Sequence, residues 1–313
     1  MYAVIKQEFF MNGLEYKMEN EMNNVSDMGV EIGSRAWKAL LEEVYTTPKP
    51  GLVDIRSSGA HTDMDVTTFE KSADALKQYL IRIADQGYRM DCSPEELFVE
   101  ARKTGVAAER AMFAATGGVN THKGLVFTLG ILCAAAGRCE KEYGRITARE
   151  LMDVEQKMVR KILGEELRTI EGGRASDGAR ICSNGERNLQ EYGTTGIRGE
   201  AMLGYPSVWK YALPTLRDGI RRQQTWNRVK LQTLLVLMAN VEDSNVLSRQ
   251  DPETLVWMQE QARSFLNDGG AYAPEALDRM RKLDEEFIRR NISPGGCADL
   301  LAMTVFLELI LNE

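Results

Sequence analysis

Residues 124–136 read GLVFTLGILCAAA, and the architecture that we predict is built around them. Apolar side chains cover every side of this segment, whereas a helix on a protein surface keeps one polar face. The segment is also shorter than the roughly 20 residues that a transmembrane helix needs. It therefore predicts a central helix that other helices bury on all sides.

Amphipathic helices are predicted on both sides of this segment. Ser34 can cap a helix that carries Trp37 and Leu40 on one face. No run alternates between polar and apolar residues, so strands are not expected. Capping boxes begin further helices at residues 67–70, 93–96 and 147–150, and apolar periodicity predicts others over 229–241, from 251, over 274–290 and over 297–311.

The chain is predicted to form an all-α fold, with one domain of about ten helices over residues 34–313. Residues 1–33 are acidic and rich in Met and Asn, with weak periodicity, and we expect a weakly ordered N-terminal extension there. Residues 172–204 contain eight glycines. Such a segment predicts a long mobile loop that is either a lid or disordered.

The composition excludes several classes of function. A net charge of −7 argues against a general nucleic-acid binder, because no basic field would attract the phosphate backbone. The five cysteines are widely spaced and form no CxxC pair, which favours a reducing compartment over disulfides or a zinc site. No apolar run is long enough for a signal or a membrane span. We therefore expect a cytoplasmic protein without a membrane segment, and a homodimer as its assembly.

One irregular segment carries an unusual density of charge. Residues 48–65 read PKPGLVDIRSSGAHTDMD, and their prolines and glycines prevent a regular helix or a central strand. Lys49 suits a phosphate, and Asp63 and Asp65 suit a hard cation such as Mg²⁺. A solvated turn with ordinary surface charges explains this segment equally well when it is considered alone.

Four further polar turns resemble this one in being rich in Gly, Pro or Asn and in carrying charge. We expect the five turns to meet at one end of a helical bundle and to line a cleft. No GxxxxGK[ST], GxGxxG, HExxH or GxSxG pattern occurs, so a nucleotide would need another kind of site. The four turns are residues 117–123 (GGVNTHK), 196–205 (GIRGEAMLGY), 240–249 (NVEDSNVLSR) and 291–299 (NISPGGCAD).

The sequences of these turns and their order along the chain resemble those of the triphosphoribosyl-dephospho-CoA synthase family. The resemblance covers the chain from about Trp37 to its end and leaves residues 1–33 outside. It rests on five blocks: EVYTTPKPGLVDIRSSGAHTDMD from residue 43, GVNTHKG from 118, GIRGEAMLGYPSV from 196, NVEDSNVLSR from 240 and NISPGGCADLLA from 291.

The resemblance implies an all-helical, Mg²⁺-dependent transferase. Its substrates would be ATP and 3′-dephospho-CoA, and its products 2′-(5″-triphosphoribosyl)-3′-dephospho-CoA and adenine. The product is the precursor of the prosthetic group of the citrate lyase acyl carrier protein, and a further transferase loads it onto that protein. A close relative of the family serves malonate decarboxylase in the same way, and the residues do not separate the two.

The implied reaction requires specific side-chain chemistry. The 2′-hydroxyl of dephospho-CoA attacks C1 of the ATP ribose through an oxocarbenium-like state, as in glycoside chemistry. This calls for a base, for negative charge near the developing cation, and for cations and Mg²⁺ on the triphosphate. We expect phosphate binding by Lys49, His61, Lys123, Arg198 and Arg249, metal binding by Asp63, Asp65, Glu242 and Asp243, and a base among Glu43, Asp54 and Glu200, with Glu200 favoured beside Arg198.

Other interpretations of these residues stay open at this point. A Mg²⁺-dependent helical phosphohydrolase or glycohydrolase would use the same acids, and a helical nucleotide-binding module would need no chemistry. His122 fits a histidine that bonds to the backbone at a helix start. Lys123 and Arg249 fit solvated charges at helix ends, Asp251 fits an N-cap, and Asp299 fits the first turn of the last helix.

Overall fold

The apolar residues 124–136 lie in one long helix, Lys123–Tyr143, which is buried almost without a break from Leu125 to Cys139. Its C-terminal end is closed by Gly144 in the left-handed conformation, as is common for helix ends. The central buried helix predicted from the sequence is therefore confirmed.

A computed structural model describes residues 24–171 and 184–311, and within these ranges the chain is helical and contains no strand. The thirteen α-helices are α1 Asp27–Val44, α2 Val66–Arg89, α3 Pro94–Ala115, α4 Lys123–Tyr143, α5 Ala148–Glu171, α6 Asn184–Tyr192, α7 Gly196–Met202, α8 Leu213–Arg221, α9 Trp226–Asn240, α10 Ser244–Arg249, α11 Pro252–Asn267, α12 Ala276–Arg289 and α13 Gly295–Ile310. A π-helical turn, Val208–Ala212, precedes α8, and a 3₁₀ turn, Gly270–Tyr272, precedes α12.

Helix α4 contacts α1, α2, α3, α5, α7 and α13. Its closest neighbour is α2, because glycines let the two backbones touch. A Cβ added to Gly137 would lie 2.1 Å from the Ala84 carbonyl oxygen, and one added to Gly87 would lie 2.1 Å from that of Ala134. The small residues of α4 therefore set how tightly the outer helices close around it.

The helix starts agree with the sequence in part. Ser93 caps α3 together with Glu96, as predicted. Thr147 caps the start of α5 together with Glu150, also as predicted. The cap predicted at Ser34 is wrong, because α1 begins earlier and its cap is Ser26. The box predicted at residues 67–70 is shifted as well, since Asp65 and Thr68 cap α2. Residues 27–33 thus belong to α1, and residues 1–23 of the predicted extension lie outside the described residues.

The glycine-rich segment is more regular than predicted. Residues 184–192 and 196–202 are the helices α6 and α7, and α7 packs on α5. The expectation of one long mobile loop is therefore wrong for 184–202, while residues 172–183 lie outside the described residues. None of the helices in the described part of the chain is long and apolar enough to cross a bilayer.

Candidate active site

A cavity of about 960 Å³ lies where α1, α3, α5 and α9 end and where α2, α4 and α13 begin. All five polar turns contribute to its wall, so the structure brings together segments that are far apart in sequence. Residues of α6, α7 and α10 complete the wall. The volume is near the upper end of the range for small-molecule sites.

Most of the residues singled out from the sequence face this cavity. Twelve residues were given candidate roles from the sequence, and three of them do not line the cavity. All three are aspartates of the 48–65 segment: Asp54, Asp63 and Asp65. The nine that line it are Glu43, Lys49, His61, Lys123, Arg198, Glu200, Glu242, Asp243 and Arg249.

The three aspartates outside the cavity have structural positions. Asp54 is buried, and its carboxylate accepts hydrogen bonds from the backbone N–H groups of Lys49, Arg56 and Ser57 at 2.9, 2.7 and 3.0 Å. Asp65 caps α2, and the side chain of Asp63 is 60% exposed. The structure therefore favours neither a base role for Asp54 nor a metal site at Asp63 and Asp65.

Glu43 and Lys49, for which separate roles were expected, form one buried ion pair. The Lys49 ammonium contacts the Glu43 carboxylate and also donates to the Glu43 backbone oxygen at 2.9 Å. Both side chains are almost fully buried. The charge of Lys49 is thus largely neutralised before any phosphate enters, and Glu43 is held as its partner.

Arg249 and His61 tie three of the turns together. Arg249 Nη2 donates to the Ala60 carbonyl oxygen and to Asn291 Oδ1, both at 2.6 Å, and Nη1 lies 3.4 Å from the His61 ring. His61 Nε2 lies 2.8 Å from Ser293 Oγ. Burial, followed by the charge of Arg249, lowers the pKa of His61. The imidazole of His61 therefore favours its neutral, hydrogen-bonding form at neutral pH.

Two cations on the wall are more open to ligands. Lys123 is 52% exposed and lies 3.3 Å from Glu109, and Arg198 is partly exposed and lies 3.5 Å from Glu186. Exposed ion pairs of this kind are weak, so an incoming phosphate can replace the carboxylate partner.

The carboxylates of the cavity differ in how many hydrogen bonds they accept. Asp243 accepts three backbone N–H bonds, from Asn245, Val246 and Cys297, and caps α10. Glu200 accepts from Ser207 Oγ at 2.6 Å and from the Ser207 N–H at 3.2 Å. Burial raises the pKa of Glu200 despite these bonds. A carboxylate with a raised pKa on a cavity wall has the character of a general base.

The residues of the cavity do not form a metal cage. No group of three or more His, Cys, Asp or Glu side chains suited to a metal occurs in the described part of the chain. Asp243 is committed to backbone donors, whereas Glu242 is exposed on the cavity wall. Glu242 is thus an accessible carboxylate on this wall, and Mg²⁺ sites in proteins often combine one or two carboxylates with phosphate oxygens and water.

Two residues of the site were seen in the sequence but received only structural interpretations. Asp299 lines the cavity, and burial, followed by the charges of Glu43 and Asp243, raises its pKa well above the usual range. His122 also lines the cavity and bonds to Ser72 Oγ at 2.7 Å instead of to the backbone. Their position inside the GVNTHKG and NISPGGCAD blocks was the signal that could have identified them.

Comparison with known proteins identifies a family for this chain. The model of the ATP:dephospho-CoA triphosphoribosyl transferase (CitG) family matches residues 30–313. A Citrobacter koseri protein described as a probable 2-(5''-triphosphoribosyl)-3'-dephosphocoenzyme-A synthase is 40% identical over 276 residues, which are 88% of this chain and 89% of that protein. No solved structure matches the chain at a significant level. The family resemblance inferred from the sequence is thus confirmed, and the chain belongs to the ATP:dephospho-CoA triphosphoribosyl transferase family.

Proposed function

We propose that the 960 Å³ cavity is where this chain transfers the triphosphoribosyl group of ATP to the 2′-hydroxyl of 3′-dephospho-CoA and releases adenine. The observation that carries this proposal is that all five family-like turns line one cavity. The cavity offers cations, buried acids and apolar surface together, and two nucleotide substrates need all three.

Glu200 is the side chain that we assign as the base for the 2′-hydroxyl. The other two acids considered from the sequence are engaged, because Glu43 pairs with Lys49 and Asp54 accepts three backbone bonds outside the cavity. The hydroxyl proton would pass to the Glu200 carboxylate while the 2′-oxygen forms its bond to C1 of the ribose. The raised pKa makes Glu200 a stronger proton acceptor than an exposed glutamate.

Lys123 and Arg198 are the cations that we assign to the triphosphate. Both are accessible, and among the described residues each pairs with a carboxylate in a partly exposed ion pair. The planar guanidinium of Arg198 suits a bidentate phosphate contact. Arg249 and His61, in contrast, hold the turns that shape the wall.

Buried acids also lie on the cavity wall. Glu43, Asp243 and Asp299 are close enough for their charges to interact, and burial followed by these charges raises the pKa of Asp299 well above its usual range. Positive charge that develops on the ribose in a partly dehydrated cavity would favour the ionised form of such a carboxyl and would be stabilised by it. Asp299 is therefore the second candidate for the base, and Glu200 and Asp299 need a direct comparison.

Mg²⁺ is the metal that we propose, carried into the cavity by the triphosphate and contacted by Glu242. When bound, it would neutralise phosphate charge and fix the conformation of the triphosphate chain. The protein's part is to place an accessible carboxylate near the entering phosphates, and Glu242 is exposed on the wall.

The decisive experiment measures free adenine formed from ATP, Mg²⁺ and dephospho-CoA, with the acceptor present or omitted. Glu200→Gln should lower kcat about 10²–10⁴-fold, and Asp299→Asn should lower it less. Glu191→Gln, a change of an exposed glutamate on α6, is the matched control. Wild-type turnover by Glu200→Gln would remove Glu200 as the base. Adenine release without acceptor would show a hydrolase instead of a transferase.

The cellular setting is also part of the proposal. We propose a cytoplasmic, homodimeric enzyme whose product passes to a transferase that loads the acyl carrier protein of citrate lyase, with malonate decarboxylase as the alternative. The free thiols of Cys92, Cys133, Cys139 and Cys297 support a reducing compartment. Loading assays with purified citrate lyase and malonate decarboxylase carrier proteins distinguish the two pathways, and light scattering measures the assembly.

A further inference from the structure

His122 is held by a chain of hydroxyl groups at the start of α4. Thr121 Oγ donates to Ser72 Oγ at 2.7 Å, and Ser72 Oγ lies 2.7 Å from His122 Nδ1. The imidazole packs edge-on against Phe69, with ring centroids 4.9 Å apart. Its other nitrogen, Nε2, is buried and has no hydrogen-bond partner among the described residues.

The hydroxyl chain supports one of the two neutral forms of the imidazole. Ser72 Oγ accepts a hydrogen bond from Thr121 Oγ, and when Ser72 donates its own hydrogen to Nδ1, the neutral ring carries its hydrogen on Nε2. Burial, followed by the charge of Lys49, lowers the pKa of His122 to about 3, so the ring is neutral throughout the physiological range. His122 thus presents one N–H donor.

An unsatisfied buried donor of this kind is unusual. Leaving a buried polar group without a partner costs about 1–3 kcal/mol, and native proteins keep few such groups. His122 also lines the cavity, where a ligand can supply the missing acceptor. A neutral imidazole contributes no charge toward a phosphate, and the exposed cations already serve that purpose.

The surroundings of His122 suit a flat apolar ring. Phe69 contacts the imidazole edge-on, and Phe113, next to the Met112 whose sulfur accepts the His122 backbone N–H, also lies on the cavity wall. We define Phe69, Phe113 and His122 as the base subsite. Apolar and aromatic walls with one polar donor are typical of sites that bind heteroaromatic rings.

We propose that the base subsite binds the adenine of ATP and that His122 Nε2–H donates a hydrogen bond to one of its ring nitrogens. This inference rests on the proposed function and adds the residue that binds the leaving group. As the bond between C1 and adenine N9 breaks, its electron pair moves into the purine and makes the remaining ring nitrogens stronger acceptors. The 2′-hydroxyl loses its proton to the base, and the departing adenine takes a proton from water. The hydroxide left behind is neutralised by the proton that the base then releases, so His122 keeps its own proton and the protons balance.

The hydrogen bond would strengthen as charge develops on the leaving base. Because the donor is already placed and largely free of water, it needs no reorganisation during the reaction. The interaction therefore stabilises the transition state more than the bound substrate, and kcat is expected to respond more than KM.

The first test compares ATP with its 1-deaza, 3-deaza and 7-deaza analogues. One analogue should bind the wild-type protein about tenfold more weakly than ATP, the effect of one neutral hydrogen bond. In His122→Asn, which retains a partner for Ser72 but lacks a donor at Nε2, ATP and that analogue should bind equally. His122→Gln, whose amide N–H extends toward the Nε2 position, should recover part of the difference. Equal binding of ATP and all three analogues to the wild-type protein would overturn the proposal.

A second test observes the wild-type protein directly and needs a variant only to assign the signals. The chain has two histidines, so ¹⁵N-histidine labelling gives two imidazole groups, and His61→Gln assigns them. ATP should shift the His122 Nε2–H proton downfield, whereas inorganic tripolyphosphate should leave it in place. An unchanged proton with ATP bound would overturn the proposal while leaving the transferase function intact. Absence of acceptor-dependent adenine release would instead refute the function.

Discussion

Glu155, on the buried face of α5, gives the sharpest test of the structure. Its side chain is 1% exposed, Oε2 accepts from Gln156 Nε2 at 2.9 Å, and Oε1 is buried without a hydrogen-bond partner in the part of the chain that the structure describes. Burial raises the pKa of this carboxyl from 4.5 to about 8. The folded protein therefore holds a proton on Glu155 at pH 7 that the unfolded chain releases.

The sign of the effect on stability follows from this difference. Between pH 4.5 and pH 8 the folded state binds more protons than the unfolded state, so the free energy of unfolding falls as the pH rises. At pH 7 Glu155 lowers the free energy of unfolding by about 3 kcal/mol relative to acid conditions. Between pH 6 and pH 8 it lowers this free energy by about 2 kcal/mol. Glu155→Gln removes this titration while keeping the shape of the side chain.

Urea unfolding of the wild type and of Glu155→Gln at pH 6, 7 and 8 measures the effect, in a range above the isoelectric point near 5.2. The free energy of unfolding of the variant should rise relative to that of the wild type as the pH rises, by about 2 kcal/mol between pH 6 and pH 8. Glu165→Gln, an exposed change on the same helix, should follow the wild type. Parallel curves for Glu155→Gln and the wild type would show that the carboxyl titrates normally, and the reasoning would be refuted.

Three further changes separate structural from chemical roles. Glu43→Gln leaves its lysine partner buried without a countercharge, so we expect a loss of about 3–5 kcal/mol in urea unfolding. Asp54→Asn places an amide N–H against a backbone N–H and should cost about 1–3 kcal/mol, measured as a lower Tm, while turnover per folded molecule is kept. Gly137→Ala pushes a Cβ to 2.1 Å from a backbone oxygen of α2 and should destabilise by about 1–3 kcal/mol, whereas Gly130→Ala on the same helix has room at 3.6 Å and should be neutral or stabilising.

The sequence predicted the fold well because its helix signals are local. The caps at Ser93 and Thr147 depend on residues three positions apart, and the central helix depends on a continuous apolar run. Where the signal was ambiguous, the prediction failed. Ser34 has the chemistry of a cap but lies inside α1, because Ser26 occurs earlier and also bonds to Asp85 across the bundle. Glycines at 185–199 suggested a loop, but tertiary packing on α5 stabilises helices there.

The candidate site was predicted as a set of turns but not as a set of contacts. Nothing in the spacing of Glu43 and Lys49 shows that a base candidate and a phosphate candidate would pair with each other. The tertiary fold likewise gives His122 its hydroxyl partner from α2, some fifty residues away in the chain. Residue types and motif order were enough to locate the cavity, whereas the role of each side chain depends on which neighbours the packing supplies.

The contacts among the turns explain why they occur together as sequence blocks. Arg249 joins the 240–249 turn to Ala60 and Asn291, and Asp243 accepts the Cys297 N–H where Gly296 leaves room for its carboxylate. Each block therefore shapes the cavity as well as contributing chemistry to it. A substitution at Arg249 would release two turns at once and lower activity without touching substrate. For this reason loss of turnover alone does not identify a catalytic group here. The tests of His122 measure binding of ATP analogues and a direct signal from the side chain, and the kcat of Glu200→Gln should be compared with its affinity for ATP.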